Sequence, residues 1–177
     1  MNASRLPARR AVVAFTFFAL FSASTFALDS ADQKFATQAA AAGLAEVELA
    51  DLAQQKATRD SVKQYADHLK QDHQQANEKL KSLAAQKGVQ LPSGPDSKHK
   101  KEKERLAKLQ GAQFDKAYVD AMVKDHKAVI NDFEREAKKG NDAELKEFAA
   151  QTLPKLREHL DHAQKLQSEI KASGKSS

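Results

Sequence analysis

Four separate segments of the 177-residue chain carry apolar residues spaced three and four positions apart, and this pattern constrains the fold most strongly. The spacing places the apolar side chains on one face of an α-helix, where they form a continuous seam. Ala, Leu, Lys, Gln and Glu dominate these segments and favour helices, whereas the two-residue alternation typical of β-strands is missing over any useful length. The pattern therefore predicts an all-α fold, in which four amphipathic helices bury their seams in an antiparallel four-helix bundle.

Capping residues, glycines and prolines predict where each helix begins and ends. Short polar residues stand before three of the helices as candidate N-caps: Asp29 or Ser30, Thr58 or Asp60, and Asn141 or Asp142. The predicted helices span about 30–56, 60–88, 114–139 and 141–171. The longest connection separates the second helix from the third. A bundle domain is thus expected over 28–171, followed by a disordered tail over 172–177.

The long connection contains a Lys- and Glu-rich run at Ser97–Arg105. This run either extends the third helix towards its N-terminus or forms a solvated segment. Glu102 and Glu104 dilute its positive charge, which disfavours a phosphate-binding patch. His99 lies inside the run and is expected to have no functional role.

Residues 1–27 are predicted to be a signal peptide. A basic start precedes the apolar run Ala11–Phe21, which is shorter than the roughly 20 residues that a membrane-spanning helix needs. Thr25 and Ala27 then provide the small residues of a cleavage site. We therefore expect a periplasmic or secreted protein, with an uncleaved leader that serves as an anchor as the alternative. Association with the outer membrane is left open.

Charge and composition exclude several classes of function. The leader holds three of the 29 basic residues and none of the 24 acidic ones, so the remaining chain has a net charge of 26 minus 24, or +2. That balance disfavours nucleic acid as a partner. The absence of Cys excludes disulfides and thiolate metal sites. No Gly-rich phosphate loop and no Gly-x-Ser-x-Gly motif is present, so a hydrolase or transferase has no residue to support it.

One ionisable residue interrupts each seam near the middle of its helix. These residues are Glu46, His73, His126 and His159, and an acidic residue directly precedes each histidine: Asp72, Asp125 and Glu158. We expect the four interrupting residues to meet at one level inside the bundle. Three imidazoles and one carboxylate suit Zn²⁺, Cu²⁺ or Fe²⁺, and the adjacent acids could orient the rings.

Two other interpretations of these residues stay open. A buried imidazole can instead hydrogen-bond to Glu46 and fix the packing order of the helices without any metal. Alternatively, the seam is half-exposed at this level. His68 and His162 are expected at the surface or rim of the bundle.

A weak internal repeat relates the second and fourth helices. VKQYA (Val62–Ala66) matches LKEFA (Leu145–Ala149), and DHQQANEKL (Asp72–Leu80) resembles EHLDHAQKL (Glu158–Leu166). The spacing between the two matches is three residues longer in the fourth helix, around Pro154, which is expected to bend or break that helix. The repeat predicts two helix hairpins related by an approximate two-fold axis.

Four stretches together resemble a known family: LAEVELADLAQQKA, YADHLKQDHQQANEKLKSLA, LQGAQFDKAYVDAMVKDHKAVINDFEREA and LKEFAAQTLPKLREHLDHAQKL. Over roughly Phe35–Leu166 the chain resembles the exported bacterial proteins that share the domain of unknown function numbered 4142. The resemblance implies a ferritin-like four-helix fold behind a signal peptide, but no reaction. Ferritin-like proteins often bind two metals with carboxylates and two Glu-x-x-His motifs. Here Lys70 and Leu156 stand where those glutamates would be. Glu46 and either Glu134 or Asp125 could serve as the helix carboxylates.

Two functions follow as expectations. The first is an exported, non-enzymatic, ferritin-like helical protein that acts in envelope maintenance or stress tolerance. The alternative is a protein that binds a transition metal or carries out redox chemistry with its interior Glu/His cluster. The sequence leaves association with the envelope or a membrane surface open, and likewise a homo-oligomer.

Overall fold

The computed structural model of the protein describes residues 28–174, and these residues form α-helices without any strand. The predicted leader 1–27 and the last three residues of the predicted tail lie outside this range. The helices are α1 (Ser30–Lys56), α2 (Asp60–Gln86), α3 (Ser97–Ala107), α4 (Gly111–Lys139) and α5 (Ala143–Ser173). The prediction of an all-α bundle is confirmed. None of the helices within the described range is both long and apolar enough to cross a lipid bilayer.

The four long helices form the bundle as two hairpins, α1–α2 and α4–α5. Each long helix packs against two others, because α1 also contacts α4 and α2 also contacts α5. Neighbouring helices run antiparallel. The connection that carries α3 follows the outside of α1 and α4 and joins the two ends of the bundle. One long crossover of this kind is compatible with a ferritin-like topology.

The seams are buried and divide into two apolar clusters. One cluster lies at the end of the bundle where α2 and α4 begin, and its largest members are Tyr65, Leu69, Leu106, Phe114 and Tyr118. The other lies at the opposite end, and its largest members are Phe35, Leu80, Ile130, Phe133 and Phe148. In every long helix the interrupting ionisable residue falls between the members of the two clusters. The core therefore holds a polar layer at mid-height.

The charged run in the long connection is a separate helix, α3, which corrects the expectation of an extended third helix or a solvated segment. The Asp96 side chain accepts a hydrogen bond from the His99 backbone N–H at 2.9 Å and caps this helix. Leu106 lies seven residues, or two helical turns, after His99 and so on the same face of the helix, and it is fully buried. The chain then turns, and Gly111 takes a φ of 57° at the start of α4. This left-handed conformation favours glycine and separates the two helices.

Helix α5 continues through Pro154 and ends at Ser173, so the proline does not break it and the helix includes Ala172 and Ser173 of the predicted tail. Pro154 and Ala150 are both exposed. The Ala150 carbonyl, which loses its usual helical donor at the proline, therefore faces water. A proline on the solvent side removes one hydrogen bond without leaving a buried acceptor.

The first residues of α2 are capped from across the bundle. Arg59, the N-cap residue, makes no capping bond with its own side chain. Asp115 of α4, which is fully buried, instead accepts hydrogen bonds from the Thr58 N–H at 2.9 Å, the Thr58 hydroxyl at 2.5 Å and the Arg59 N–H at 3.1 Å. The predicted local cap at Thr58 or Asp60 is wrong, because Asp115 satisfies these donors from a distant part of the chain.

A matching cap stands at the opposite end of the bundle. Asp32 of α1, also buried, accepts from the Asn141 N–H at 3.1 Å and the Asp142 N–H at 2.6 Å, just before α5. The two caps use equivalent positions of the two hairpins. Asp32 corresponds to Asp115, Thr58 to Asn141 and Arg59 to Asp142, and each pair is separated by 83 positions. VKQYA and LKEFA have the same offset. The two hairpins are thus equivalent, and each bonds backbone N–H groups at a helix start of the other. The Asp142 side chain also caps α5 locally, which confirms the predicted cap at Asn141 or Asp142.

The equivalence ends at the middle of the bundle. Gly43 lies 83 positions before His126, and any Cβ at Gly43 would overlap the side chain of Asn77. The second hairpin has the His126 imidazole at this position. The first hairpin has Gly43, whose missing side chain leaves room for the Asn77 amide. The polar layer is therefore asymmetric.

We expect Asp115→Ala to destabilise the protein by about 2–3 kcal/mol, because it leaves three donors at the start of α2 without their acceptor. For a chain of this size the melting temperature should fall by roughly 5–10 °C, which calorimetry or circular dichroism measures. Asp132→Ala is the control, since Asp132 makes only an exposed pair with Arg135. That change should cost less than about 0.5 kcal/mol. Equal melting temperatures for the two variants would contradict the capping role.

Candidate metal centre

Three of the four predicted interior residues come together. His73 of α2, His126 of α4 and His159 of α5 are 8%, 2% and 2% exposed, and we call them the histidine trio. One ring nitrogen from each lies within 4.8 Å of those from the other two. The ring centroids are 5.4–5.7 Å apart. The arrangement arises because each histidine occupies the same level of its seam, between the two apolar clusters.

Hydrogen bonds to the outer nitrogens orient two of these rings. His126 Nδ1 donates to the Met122 carbonyl at 3.0 Å, and His159 Nε2 donates to Asp72 Oδ2 at 2.9 Å. His73 Nε2, His126 Nε2 and His159 Nδ1 are buried and have no hydrogen-bond partner among residues 28–174. Each ring therefore keeps one nitrogen available to a ligand. In metal sites the second nitrogen of a ligating histidine is held by a carbonyl or carboxylate in this way.

The surroundings keep the histidine trio neutral. Burial, followed by the neighbouring imidazoles, lowers the pKa of His73 well below its usual value and that of His126 to about 4. Burial also lowers the pKa of His159, although the hydrogen bond to Asp72 opposes this shift. Neutral imidazole is the form that binds a metal ion.

Glu46 is also buried, but its carboxyl group faces Asp125 and is not part of the group formed by the trio. Burial and then the charge of Asp125 raise the pKa of Glu46 well above its usual value. Two neighbouring carboxyl groups in a buried site are not both ionised, because each negative charge raises the pKa of the other group. Glu46 is therefore the protonated partner of this pair. Of the predicted set, the three histidines come together and Glu46 does not join them.

Asp125 is held by α3. Its Oδ1 accepts from Lys98 Nζ at 3.1 Å and from His99 Nε2 at 3.2 Å. Burial alone would raise the pKa of Asp125, but His99 and Lys98 outweigh it and hold that pKa below its usual range. His99 is 8% exposed and holds Asp125 in place, a structural contact that the sequence did not predict. The seven-residue spacing from His99 to Leu106 is the sequence signal that could have revealed its buried face.

Of the three acids predicted to orient the rings, only Asp72 bonds to a ring of the trio. It orients His159 on the facing helix and not the adjacent His73, because successive residues of a helix point about 100° apart. Asp125 turns away towards α3. Glu158 is exposed and pairs with Lys155 at 3.3 Å. His68 and His162 are half-buried, as expected for rim positions.

The trio lies between two spaces of different character. An interior cavity of about 30 Å³ is lined by Glu46, His73, Asp125 and His126 together with apolar residues. It exceeds the roughly 10–15 Å³ that one water molecule needs. Next to this cavity, and sharing His73 with it, a cleft of about 180 Å³ between α2 and α5 is also lined by Asp72, Lys155 and His159. The cleft reaches exposed residues, so it connects the trio with the surface.

A profile of the family described as "Domain of unknown function (DUF4142)" matches residues 19–166. The chain belongs to the DUF4142 family. The resemblance found in the sequence is thereby confirmed. No curated protein matches this DUF4142 chain at a significant level.

A DUF305 fragment from Deinococcus radiodurans has a crystal structure similar to this DUF4142 protein, with a TM-score of 0.72. The two chains are 11% identical, and the similarity covers 81% of this chain and 99% of the fragment. At that level of identity the likeness concerns the fold alone. It agrees with an all-helical bundle.

Among residues 28–174, the DUF4142 chain does not assemble a ferritin-type carboxylate set around the trio. Three residues before His73, Lys70 forms an ion pair with Asp51 at 2.7 Å. Three residues before His159, Leu156 is buried in an apolar cluster. Glu134, a candidate carboxylate of the third bundle helix, bonds Arg157 at the surface. The site therefore offers imidazole nitrogens as its principal donors.

We expect the metal-free DUF4142 protein to be most stable near pH 6.5 and to lose stability towards pH 5.0. The folded pKa values of the trio lie below the unfolded value of about 6.5, so the unfolded chain binds protons first as pH falls. Each such group costs up to about 1.4 kcal/mol per pH unit in this window. Glu46 acts in the opposite direction, as does Glu136, whose pKa burial and the nearby Asp32 raise to about 7. His99 also acts against the loss, because its hydrogen bond to Asp125 raises its pKa. Most of that gain is already present near pH 6.5, since the unfolded histidine takes up its own proton below that value. Between pH 6.5 and 5.0 we therefore expect the trio to determine the sign of the change.

Thermal melts at pH 7.5, 6.5 and 5.0 measure this profile. Glu136→Gln removes one opposing contribution, so its loss between pH 6.5 and 5.0 should be steeper than that of the wild type. A melting temperature that rises steadily down to pH 5.0 in both proteins would show that the trio titrates as exposed histidines do.

Proposed function

We propose that this protein binds one transition-metal ion through His73, His126 and His159. The observation that carries the proposal is the set of three buried, neutral ring nitrogens without hydrogen-bond partners among the described residues. A purely structural polar layer would pair its members, because a buried unsatisfied group costs about 1–3 kcal/mol. Here the three imidazoles do not bond to one another. A metal ion would satisfy all three at once.

Small side-chain adjustments suffice for binding. Zn–N bonds are about 2.0–2.1 Å long, so tetrahedral ligands stand ~3.4 Å apart. The nitrogens of the trio lie within 4.8 Å of one another, and movements of about 1 Å at each ring would bring them to that distance. Asp72 and the Met122 carbonyl already hold the outer nitrogens of two rings. The site is thus largely organised before the ion arrives.

The donor set favours Zn²⁺ and Cu²⁺ over Fe²⁺. An all-imidazole site suits these late first-row ions, whereas mononuclear non-haem iron centres usually use two histidines and one carboxylate. Cu²⁺ should bind most tightly, in the general order of affinities for nitrogen ligands. The fourth position would face the interior cavity beside Glu46, which has room for a water molecule.

The predicted signal peptide at 1–27 adds the cellular setting of this proposal. Export would place the site in the periplasm or outside the cell, where a single-ion binding protein could buffer or deliver metal during envelope stress. This setting depends on the leader sequence, and the binding site depends on the trio. The two parts can be tested separately.

Mature protein purified from the periplasm without a His-tag should contain about one equivalent of Zn²⁺ or Cu²⁺. His73→Ala and His126→Ala should each weaken binding by at least 100-fold, because each removes one of three ligands. Saturation of the wild type at 100 times Kd should add about 2.7 kcal/mol of stability, or roughly 5–10 °C in melting temperature. His162→Ala is the matched control, since His162 makes an edge-to-face contact with Tyr65 outside the trio. Unchanged metal content in both trio variants would refute the site.

Glu46→Gln should retain one equivalent of metal, with an affinity within about tenfold of the wild type, because Glu46 is not part of the ligand group that the trio forms. Isothermal titration of the metal-free variant with Zn²⁺ measures this. A loss of 100-fold or more would instead make Glu46 the fourth ligand, as the sequence alone suggested.

A further inference from the structure

We propose that the metal ion reaches the trio through an outer transfer site formed by His68, Asp72 and His159 at the cleft between α2 and α5. This inference rests on the proposed function, since it describes how the interior site is filled. It assigns a role to His68, which is not a member of the trio.

The outer site has the geometry of a ligand group. His68 Nε2 and His159 Nε2 lie 3.1 Å and 2.9 Å from the same oxygen, Asp72 Oδ2. One ligand atom from each of the three residues lies within 4.8 Å of the others. The rings of His68 and His159 are 5.6 Å apart in an edge-to-face arrangement. An imidazole pair and a carboxylate are suitable ligands for the same divalent ions as the trio.

Burial increases along the row from solvent to core. The side chains of His68, Asp72 and His159 are 38%, 18% and 3% exposed. His159 belongs to both groups: its Nε2 faces Asp72, and its Nδ1 is the nitrogen left without a partner. Reorientation of this single ring would pass an ion from the outer group to the inner one. The ring stays neutral throughout. Its proton moves from Nε2 to Nδ1, by exchange with water in the cleft, when Nε2 takes the outer ion, and it returns to Nε2 when Nδ1 takes the ion.

The other sides of the trio are covered. Apolar clusters close the bundle above and below the polar layer. On the α1–α4 side, α3 packs over Asp125 with Lys98, His99 and the buried Leu106. The cleft between α2 and α5 is the side where exposed residues and two members of the trio line one space. An ion that exchanges water for protein ligands step by step would meet His68 and Asp72 first.

The cleft is also lined by a positively charged side chain, that of Lys155. Lys155 Nζ lies 3.5 Å from Asp72 Oδ2 and 3.3 Å from Glu158, and its side chain is half exposed. It therefore shields the carboxylate from a cation and is free to move away. Removal of its charge should make the outer site more attractive to a divalent ion.

The test measures rates of metal exchange in the metal-free mature protein with Zn²⁺ and a chromophoric chelator. His68→Ala should slow both association and chelator-driven release by about tenfold, while Kd changes by less than threefold, because a transfer site serves both directions. Lys155→Gln should speed association two- to fivefold, with a smaller effect at high salt. His162→Ala, a half-buried histidine elsewhere on α5, should change neither rate.

Several results would overturn the route. In one, His68→Ala exchanges metal at the wild-type rate. In another, His68→Ala weakens Kd by tenfold or more with an unchanged association rate, which would make His68 a permanent ligand. A second tightly held equivalent that His68→Ala loses would also contradict a transient site. A wild-type protein that takes up no metal would overturn the proposed function itself, which separates the two failures.

Discussion

The burial of a polar layer between two apolar clusters governs the rest of this structure. Leu69 and Val123 lie on one side of the histidine trio, and Leu80 and Ile130 lie on the other. These side chains hold the imidazoles at mid-height, where water cannot satisfy the free nitrogens. Desolvation keeps the rings uncharged, and close packing prevents them from relaxing towards solvent. The burial of the two apolar clusters thus offsets the free-energy cost of keeping three imidazole nitrogens buried without hydrogen-bond partners.

The same principle explains the second polar group in the core. Glu46 and Asp125 lie close together, and the low-polarity surroundings allow only one of them to be ionised. Asp125 takes the charge because Lys98 and His99 of α3 bond to it, which leaves the proton on Glu46. The carboxyl pair shares one small cavity with His73 and His126. Helix α3 therefore sets the charge state of groups beside the candidate site although it provides no ligand.

The sequence predicted what depends on local periodicity. The spacing of His73, His126 and His159 within their seams indicated both the helices and the common level of the rings. Contacts between helices were harder to predict, because periodicity fixes the face of a residue but not its neighbour across the bundle. Asp72 therefore was expected to serve His73 and instead bonds His159. Asp115 gave no local capping signal, since its partners lie more than 50 positions away.

The reciprocal caps make the two hairpins a single cooperative unit. Asp32 and Asp115 sit at opposite ends of the bundle, and each satisfies backbone donors of the other hairpin. In a hairpin on its own, Asp32 or Asp115 would lose its backbone partners, and the donors that it satisfies in the other hairpin would lose their acceptor, so neither half forms a complete folding unit. The trio consists of one histidine from the first hairpin and two from the second, so it is assembled only while the two hairpins are packed together. Backbone amides at both ends and beside the trio should therefore exchange hydrogen through the same opening event, and the residence time of a bound ion would reflect the stability of the whole bundle.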